Sequence, residues 1–205
     1  MISLLVAMTA SAVEPGLGRG AAVERLDDHR DRADDRRDLR VLIDATARWN
    51  TAIQTGDRAA EQAADTSLRT WLQQELRESR RDVGEARREV HRSNRELQGS
   101  RVERAVEGGA KDRHDVRDDR RDRRDDVVDR GQARMDLART RQIADALAAM
   151  QPRFDAGTAS AADVVAKRGL LNELRGMAYR ELGESGEELR EDRREGREDR
   201  RERRE

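Results

Sequence analysis

Apolar residues recur along this chain with the three- and four-residue spacing that is typical of amphipathic helices. Gly56 suits the position that follows a helix, and Asp57 suits the N-cap of the next one. The pattern therefore predicts a tight helical hairpin, with one helix over residues 21–55 and a second over residues 58–107. The apolar face of the first helix consists of Leu39, Leu42, Thr46, Trp49 and Ile53.

The second predicted helix contains the clearest heptad register in the chain. Four apolar residues are seven positions apart, and the small residues Ser79, Ala86 and Ser93 lie at the intervening positions. This is the a and d spacing of a coiled coil, with small side chains at d. With the two tryptophans near the turn included, the predicted interaction seam is Leu76, Val83, Val90, Leu97, Trp49 and Trp71.

Two further helices are predicted after a break at Gly108-Gly109. The third should run over residues 110–150 and end at Pro152, because proline cannot continue a helix. Ser160 followed by Asp163 resembles a capping box and predicts the start of the fourth helix. Its apolar face would consist of Val164, Leu171, Leu174, Ala178 and Leu182.

One charged heptad organises the chain, and it is repeated three times between Lys111 and Gly131. Its positions 1, 2 and 5 are mainly acidic, positions 3, 4 and 7 are mainly basic, and position 6 admits apolar residues. On a helix these positions form a carboxylate stripe and a guanidinium stripe on opposite sides. Two interpretations remain open: stripes of opposite sign pair across helices or between copies of the chain, or the segment is a solvated charged helix.

Charge dominates the composition but nearly cancels. Charged residues make up 42% of the chain and aromatic residues 2%, so an ordinary large core is excluded. The 43 basic residues almost balance the 44 acidic ones, whereas a nucleic-acid-binding protein should show a basic surplus. The absence of Cys excludes disulfides, thiolate metal sites and Cys nucleophiles. We predict an all-α protein made of elongated antiparallel helical hairpins or a coiled-coil-like bundle, with charged, partly disordered extensions.

The N-terminus carries a short apolar run, Ile2 to Met8, followed by Ala10-Ser11-Ala12, which fits a small-x-small cleavage site. The expected location is therefore the periplasm or the cell exterior. No membrane insertion is expected after cleavage, because no other run approaches about 20 apolar residues. The predicted organisation is a signal peptide over residues 1–12, a flexible leader over 13–20, a helical hairpin over 21–107, two helices over 108–183, and a charged helical or disordered tail over 184–205.

The aspartates of the charged heptad are the candidates for ion chemistry, since the sequence shows no catalytic constellation. Carboxylate oxygens suit hard cations such as Ca²⁺. However, no D-x-[DN]-x-[DN]-G loop is present, and the side chains of a straight helix diverge. We therefore expect no resident cofactor and at most a weakly bound divalent or trivalent cation. The candidate metal ligands are His114, Asp115, Asp118, Asp119 and Asp122.

These observations predict a non-enzymatic structural or interaction protein that associates through its acidic and basic stripes, with itself or with another helical protein. The alternative is an envelope stress protein that buffers Ca²⁺ or another metal, or acts as a holdase-type chaperone. Small helical envelope proteins such as the Spy/CpxP-like chaperones are similar in class. Their Leu-Thr-x-x-Gln motif is absent here, so we assign no family.

Overall fold

The computed structural model describes residues 17–107 and 110–202. Of these, residues 17–31, 107, 110–113, 115, 185, 187–189, 191–193 and 195–202 are described by their backbone alone. The described chain forms four helices: α1 (Leu17–Thr55), α2 (Arg58–Glu107), α3 (Ala110–Ala156) and α4 (Ala161–Glu202). No strand occurs in the described residues, which confirms the predicted all-α class.

The helix boundaries follow the predicted ones at some places and depart from them at others. The first hairpin has the predicted turn, and α2 has the predicted bounds. At the N-terminal side, however, α1 begins at Leu17, so residues 17–20 of the expected leader are helical. The predicted signal peptide, residues 1–12, and leader residues 13–16 lie outside the described residues. In the tail, the helix continues through the glycines to Glu202.

Pro152 does not end α3, contrary to the prediction, because the helix continues to Ala156. Proline removes one backbone hydrogen bond from the helix, so the last turn needs other contacts. Phe154 supplies one, since its ring is almost fully buried in the core. Arg58 supplies the other, since its Nη2 donates to the backbone oxygens of Phe154 and Asp155 at 2.6 and 3.1 Å. The guanidinium therefore caps the C-terminal carbonyls of α3.

Both predicted helix starts are capped as expected. Gly56 has a φ of 71°, the left-handed conformation that glycine adopts without strain, and Asp57 Oδ1 accepts from the backbone N–H of Ala60 at 3.0 Å. At the start of α4, the Ser160 hydroxyl accepts from the backbone N–H of Asp163 at 3.2 Å. The Asp163 carboxylate in turn accepts from the backbone N–H of Ser160 at 2.9 Å, which completes the capping box.

The chain divides into two compact units. The smaller unit contains the described part of α1 up to Leu39 and the part of α4 from Ala178 onward. Leu39 and Ala178 are buried. Within this unit the Arg32 guanidinium lies against Gly186, because a Cβ added to that glycine would be 3.5 Å from Arg32 Nη2.

The larger unit, Arg40–Met177, contains the main core. Its turns at residues 56–57 and 157–160 lie close together, since Arg58 after the first turn bonds the end of α3 before the second. Trp49 and Phe154 meet edge to face with ring centroids 6.0 Å apart. All four helices contribute buried side chains here: Leu42, Ala45, Trp49, Leu68, Trp71, Leu72, Ile143, Met150, Phe154, Leu171 and Leu174.

Away from these turns the core narrows to the seam between α2 and α3. The small residues Ser79, Ala86 and Ser93 are buried there, as are Val90 and Leu97. Small side chains let the two helix backbones approach, so less apolar surface is buried per turn than beside the tryptophans. Among the described residues, no helix has a stretch long and apolar enough to cross a membrane.

Candidate functional site

The α2–α3 hairpin carries the charged heptads on its surface. On one side of α3, Arg120, Arg123 and Arg124 line a groove with Arg101 of α2. The apolar members of the same groove are Leu97, Val127 and Val128. We call this set of seven residues the arginine groove. It combines four guanidinium groups with an apolar base, a combination suited to an anionic amphipathic partner.

The contact between the charged part of α3 and α2 is polar. The α3 residues Val116, Asp119, Arg123, Asp126 and Arg130 recur at three- and four-residue spacing, and only Val116 is apolar and buried. Two of them bond neutral groups of α2. The hydroxyl of Ser100 donates to the Asp119 carboxylate, and Arg123 Nε donates to Asn94 Oδ1 at 2.5 Å. These hydrogen bonds satisfy charged groups that occupy core-facing positions of the heptad.

The opposite side of α3 is acidic. We call Asp118, Asp122, Asp125 and Asp129 the acidic flank. The pKa of Asp122 is raised first by desolvation and then by the neighbouring carboxylates of Asp119 and Asp118. The pKa of Asp129 is raised in the same way, by desolvation and then by Asp126 and Asp125. Around Asp122 and Asp129 the flank is therefore a region of concentrated negative charge.

Like charges meet at one point of the α2–α3 contact. The pKa of Glu89 on α2 is raised by desolvation and then by Asp126 on α3, so carboxylate faces carboxylate there. For the described side chains between residues 114 and 130, the ion pairs lie within α3. They join His114 Nδ1 to Asp118 at 2.6 Å and Arg121 to Asp118 at 3.6 Å. Among the described residues of the acidic flank, Asp118 is thus the one whose carboxylate is paired.

Among the candidate metal ligands whose side chains are described, only His114 and Asp118 are joined. Asp118 is engaged with His114 and Arg121, Asp119 with Ser100, and Asp122 extends from the acidic flank. The side chain of Asp115 lies outside the described residues. In the part of the chain that the structure describes, no group of three His, Cys, Asp or Glu residues could hold a metal ion.

The predicted seam residues divide into two groups. Val90 and Leu97 are buried between α2 and α3, whereas Leu76 and Val83 are half-buried. Trp49 and Trp71 are buried in the four-helix core of the larger unit. The register is therefore used within the chain, and a role of these residues toward a separate partner stays a prediction.

A buried polar cluster was not predicted. Lys167 of α4 is only 4% exposed, and its Nζ donates to Asp65 Oδ1 at 2.5 Å. Gln151 of α3 donates to the other oxygen of Asp65 at 3.1 Å. Beside this pair, Arg58 donates to the buried Glu61 at 2.9 Å. The cluster thus joins α2, α3 and α4 at the level of the two turns.

The Lys167 ammonium lies between aromatic rings. It is 4.3 Å from the centroid of Phe154 and 4.9 Å from that of Trp49. Burial lowers the pKa of Lys167, and the hydrogen bond that Lys167 donates to Asp65 opposes that effect. A signal was available in the sequence, because Lys167 is one of only two lysines among 43 basic residues. It also lies on the apolar face of α4, between Val164 and Leu171.

Comparisons with protein-family models, with curated protein sequences and with solved structures found no match to this chain.

Proposed function

We propose that this protein is a non-enzymatic helical interaction protein that self-associates by packing the acidic flank of one copy against the arginine groove of another. The observation that supports this proposal is the separation of unpaired charge on α3. In the described residues, Arg101, Arg120 and Arg124 form no ion pair, and Asp122, Asp125 and Asp129 form none either. A lone helix gains little from such a segregated arrangement.

The two sides of α3 determine how two copies must be oriented. Consider a two-fold axis parallel to α3. It places the arginine side of each copy against the acidic side of the other, so both edges of the contact are complementary. An antiparallel pair whose axis lies across the helices instead places like charges together on both edges. The proposal is therefore a parallel, closed dimer, in which each surface is used once by each copy.

The expected dimer is weak and sensitive to salt. Exposed ion pairs contribute about 0.2–1 kcal/mol each and are screened as ionic strength rises. Apolar contacts contribute little to the dimer, because the groove offers a partner two exposed valines beside the buried Leu97. One of them, Val128, is 62% exposed. Light scattering at low and high salt should show a dimer that dissociates as salt is added.

Charge reversal tests the complementarity directly. The Arg120→Glu/Arg124→Glu variant should fail to associate, because both sides of its α3 are acidic. The Asp118→Arg/Asp122→Arg variant should fail too, because both sides are basic. An equimolar mixture should associate at low salt, since each variant is complementary to the other. Monomeric wild-type protein at low salt, or a mixture that stays monomeric although each variant is helical, would contradict the proposal.

Cross-linking tests the orientation, and the absence of native Cys makes single thiols unambiguous. Positions 114 and 128 are both exposed and are about 21 Å apart along the helix. In a parallel dimer, His114→Cys chains and Val128→Cys chains should each form disulfide-linked homodimers under mild oxidation. An antiparallel contact predicts efficient linkage only when the two variants are mixed. Arg88→Cys, exposed on α2, is the matched control and should cross-link poorly.

A holdase-type chaperone is the second candidate, and one observation favours it. Four valines of the α2–α3 hairpin are exposed: Val102, Val106, Val127 and Val128. Exposed apolar groups of this kind bind unfolded clients in chaperones. If this function holds, the protein should suppress aggregation of an unfolding enzyme, and replacing the four valines with Ser should abolish the effect. Unchanged suppression in that variant argues against it.

The cellular setting proposed here is the periplasm or the cell exterior. It rests on the cleavage-site pattern at residues 10–12, which precede the described residues. N-terminal sequencing of the protein recovered from its native cells tests it: a mature chain that starts at Val13 supports export, and an uncleaved Met1 contradicts it.

A further inference from the structure

A cavity of about 80 Å³ adjoins the buried polar cluster in the larger unit. Its walls are apolar and come from α2, α3 and α4, with leucines at positions 68, 72, 147 and 171. Lys167, Asp65 and Gln151 form its polar side. Arg69 and Ala148, which also line it, are exposed, so one side of the cavity reaches the protein surface. The space is about half that of a 150 Å³ cavity known to bind benzene, so it suits about three heavy atoms.

The arrangement around Lys167 is typical of a reactive amine rather than of a surface lysine. The nitrogen is buried, it adjoins an apolar space, and a carboxylate within hydrogen-bond distance can accept its proton. Burial also lowers the pKa of this amine, which increases the fraction of free amine at neutral pH. The charged groups around it are Asp65 and Glu61, which favour the ammonium, and Arg69, which opposes it.

We infer that Lys167 is a carbonyl-reactive site that condenses with short aliphatic aldehydes, the alkyl chain occupying the apolar cavity and Asp65 carrying the proton. This site is separate from the charged surface of α3, and its reactivity does not depend on whether the protein associates.

The condensation forms one N–C bond and releases one water molecule. The Lys167 ammonium gives a proton to the Asp65 carboxylate, and the free amine attacks the carbonyl carbon, forming the N–C bond. A proton shift from nitrogen to oxygen gives a neutral carbinolamine. Asp65 returns its proton to the hydroxyl, the C–O bond breaks and water leaves, with the oxygen of the aldehyde. The product is a protonated imine, and no oxidant or reductant takes part.

Charge explains why an aldehyde fits this site better than other small amine-reactive compounds. The protonated imine keeps the positive charge that pairs with Asp65 and interacts with the rings of Trp49 and Phe154. A carbamate formed with CO₂ would instead place a negative charge beside Asp65 and Glu61, both buried. Repulsion in that environment disfavours the carbamate.

Reductive trapping tests the inference on the full chain. The protein is incubated with propanal and cyanoborohydride near neutral pH, and adducts are located by peptide mass mapping. The expected result is a propyl group on Lys167 before Lys111 or the N-terminal amine is modified. Lys167→Arg, which keeps the charge, should lose the early adduct. In denaturant the preference for Lys167 over Lys111 should disappear.

Chain length provides a test that needs no substitution. Because the cavity is small, labelling of Lys167 should fall when octanal replaces propanal, while labelling of Lys111 should not. Leu147→Phe, which narrows the cavity, should reduce the propyl adduct on Lys167 in protein that remains folded by circular dichroism. Equal labelling of both lysines in the folded protein, or labelling of Lys167 that does not depend on chain length, overturns the inference.

Discussion

The two ends of the α2–α3 contact have opposite chemistry. Beside the turns, the facing positions carry Trp71, Leu72, Ile143 and Met150, and all four are buried. In the charged segment, Asp119 and Arg123 of α3 face α2 and bond Ser100 and Asn94 instead of packing apolar surface. Stability should therefore be concentrated at the turn end, and the charged end should be held by a few weak polar contacts.

The comparison shows that one heptad can specify a core or a surface without changing the helix. In the seam segment of α2, positions 2 and 6 face the neighbouring helix and are filled with small residues, valine and leucine, which stabilises a seam. Filling them with aspartate and arginine leaves the same face dependent on hydrogen bonds. The first arrangement suits a scaffold, and the second suits a surface that binds and releases a partner.

The largest contrast is expected between Trp49→Ala and Val128→Ala. Trp49 is fully buried, and removing it should lower the free energy of unfolding by about 3–5 kcal/mol. Val128 is exposed, so its removal should change the free energy by about 0.5 kcal/mol or less. Urea titrations followed by circular dichroism measure both values. Similar losses for the two variants would mean that stability is not concentrated in the core beside the turns.

A smaller loss is expected for Asp65→Asn, which removes the charge that pairs with Lys167. A hydrogen bond between buried charged groups contributes about 1.5–3 kcal/mol. Without Asp65, only Glu61 still opposes the effect of burial on Lys167, so the pKa of Lys167 falls further. The folded variant then binds fewer protons than its unfolded chain. The difference in the free energy of unfolding between the wild type and the variant should therefore shrink as the pH rises toward the ordinary pKa of lysine. A deficit that does not change with pH would show that Lys167 is not the group left unpaired.

Val90→Ala tests the seam between the two ends. Val90 is buried, and losing two methyl-sized groups should lower the free energy of unfolding by about 1.6 kcal/mol. Arg88→Ala, exposed on the same helix, is the matched control and should have little effect. Hydrogen exchange should show the loss of protection spreading into the charged segment. If the control is equally destabilising, the register of α2 is wrong.

The smallest expected effect is a difference in how stability depends on pH at the charged segment of α3 and at the start of α4. Glu89, Asp122 and Asp129 have raised pKa values, so the folded state binds protons more readily and their contribution improves as the pH falls below neutrality. Asp163 behaves oppositely. The Arg153 guanidinium and the Ser160 N–H and hydroxyl lower its pKa to about 2, so its contribution is lost as the pH falls from 3.8 toward that value.

Hydrogen exchange measured across this range reports each end separately. Mild acidification should increase protection in the charged segment of α3 before stronger acid decreases it at the start of α4. Asp122→Asn should remove part of the first change and leave the second unaltered. Loss of protection at both ends in the same pH range would contradict the assignment.

The sequence by itself determined the local structure, because its signals act over a few residues. Turn and capping preferences predict two helix starts, one at Gly56 and Asp57 and one at Ser160 and Asp163. Both occur as predicted. The heptad register also follows from spacing alone, since position on a helix depends only on residue number. Pro152 shows the limit, because contacts of Phe154 and Arg58 from outside the local sequence extend the helix beyond it.

Only the tertiary structure decided which chemistry the helices bring together. Asp65 and Lys167 are 102 positions apart, and nothing in their local sequence shows that they form a buried pair beside a cavity. The same holds for Asp126 and Glu89, whose like charges approach although their stripes were expected to complement other stripes. Spacing fixes the face on which a residue lies, but the identity of its neighbour depends on how the helices pack. That packing is set mainly by the few large side chains of the core.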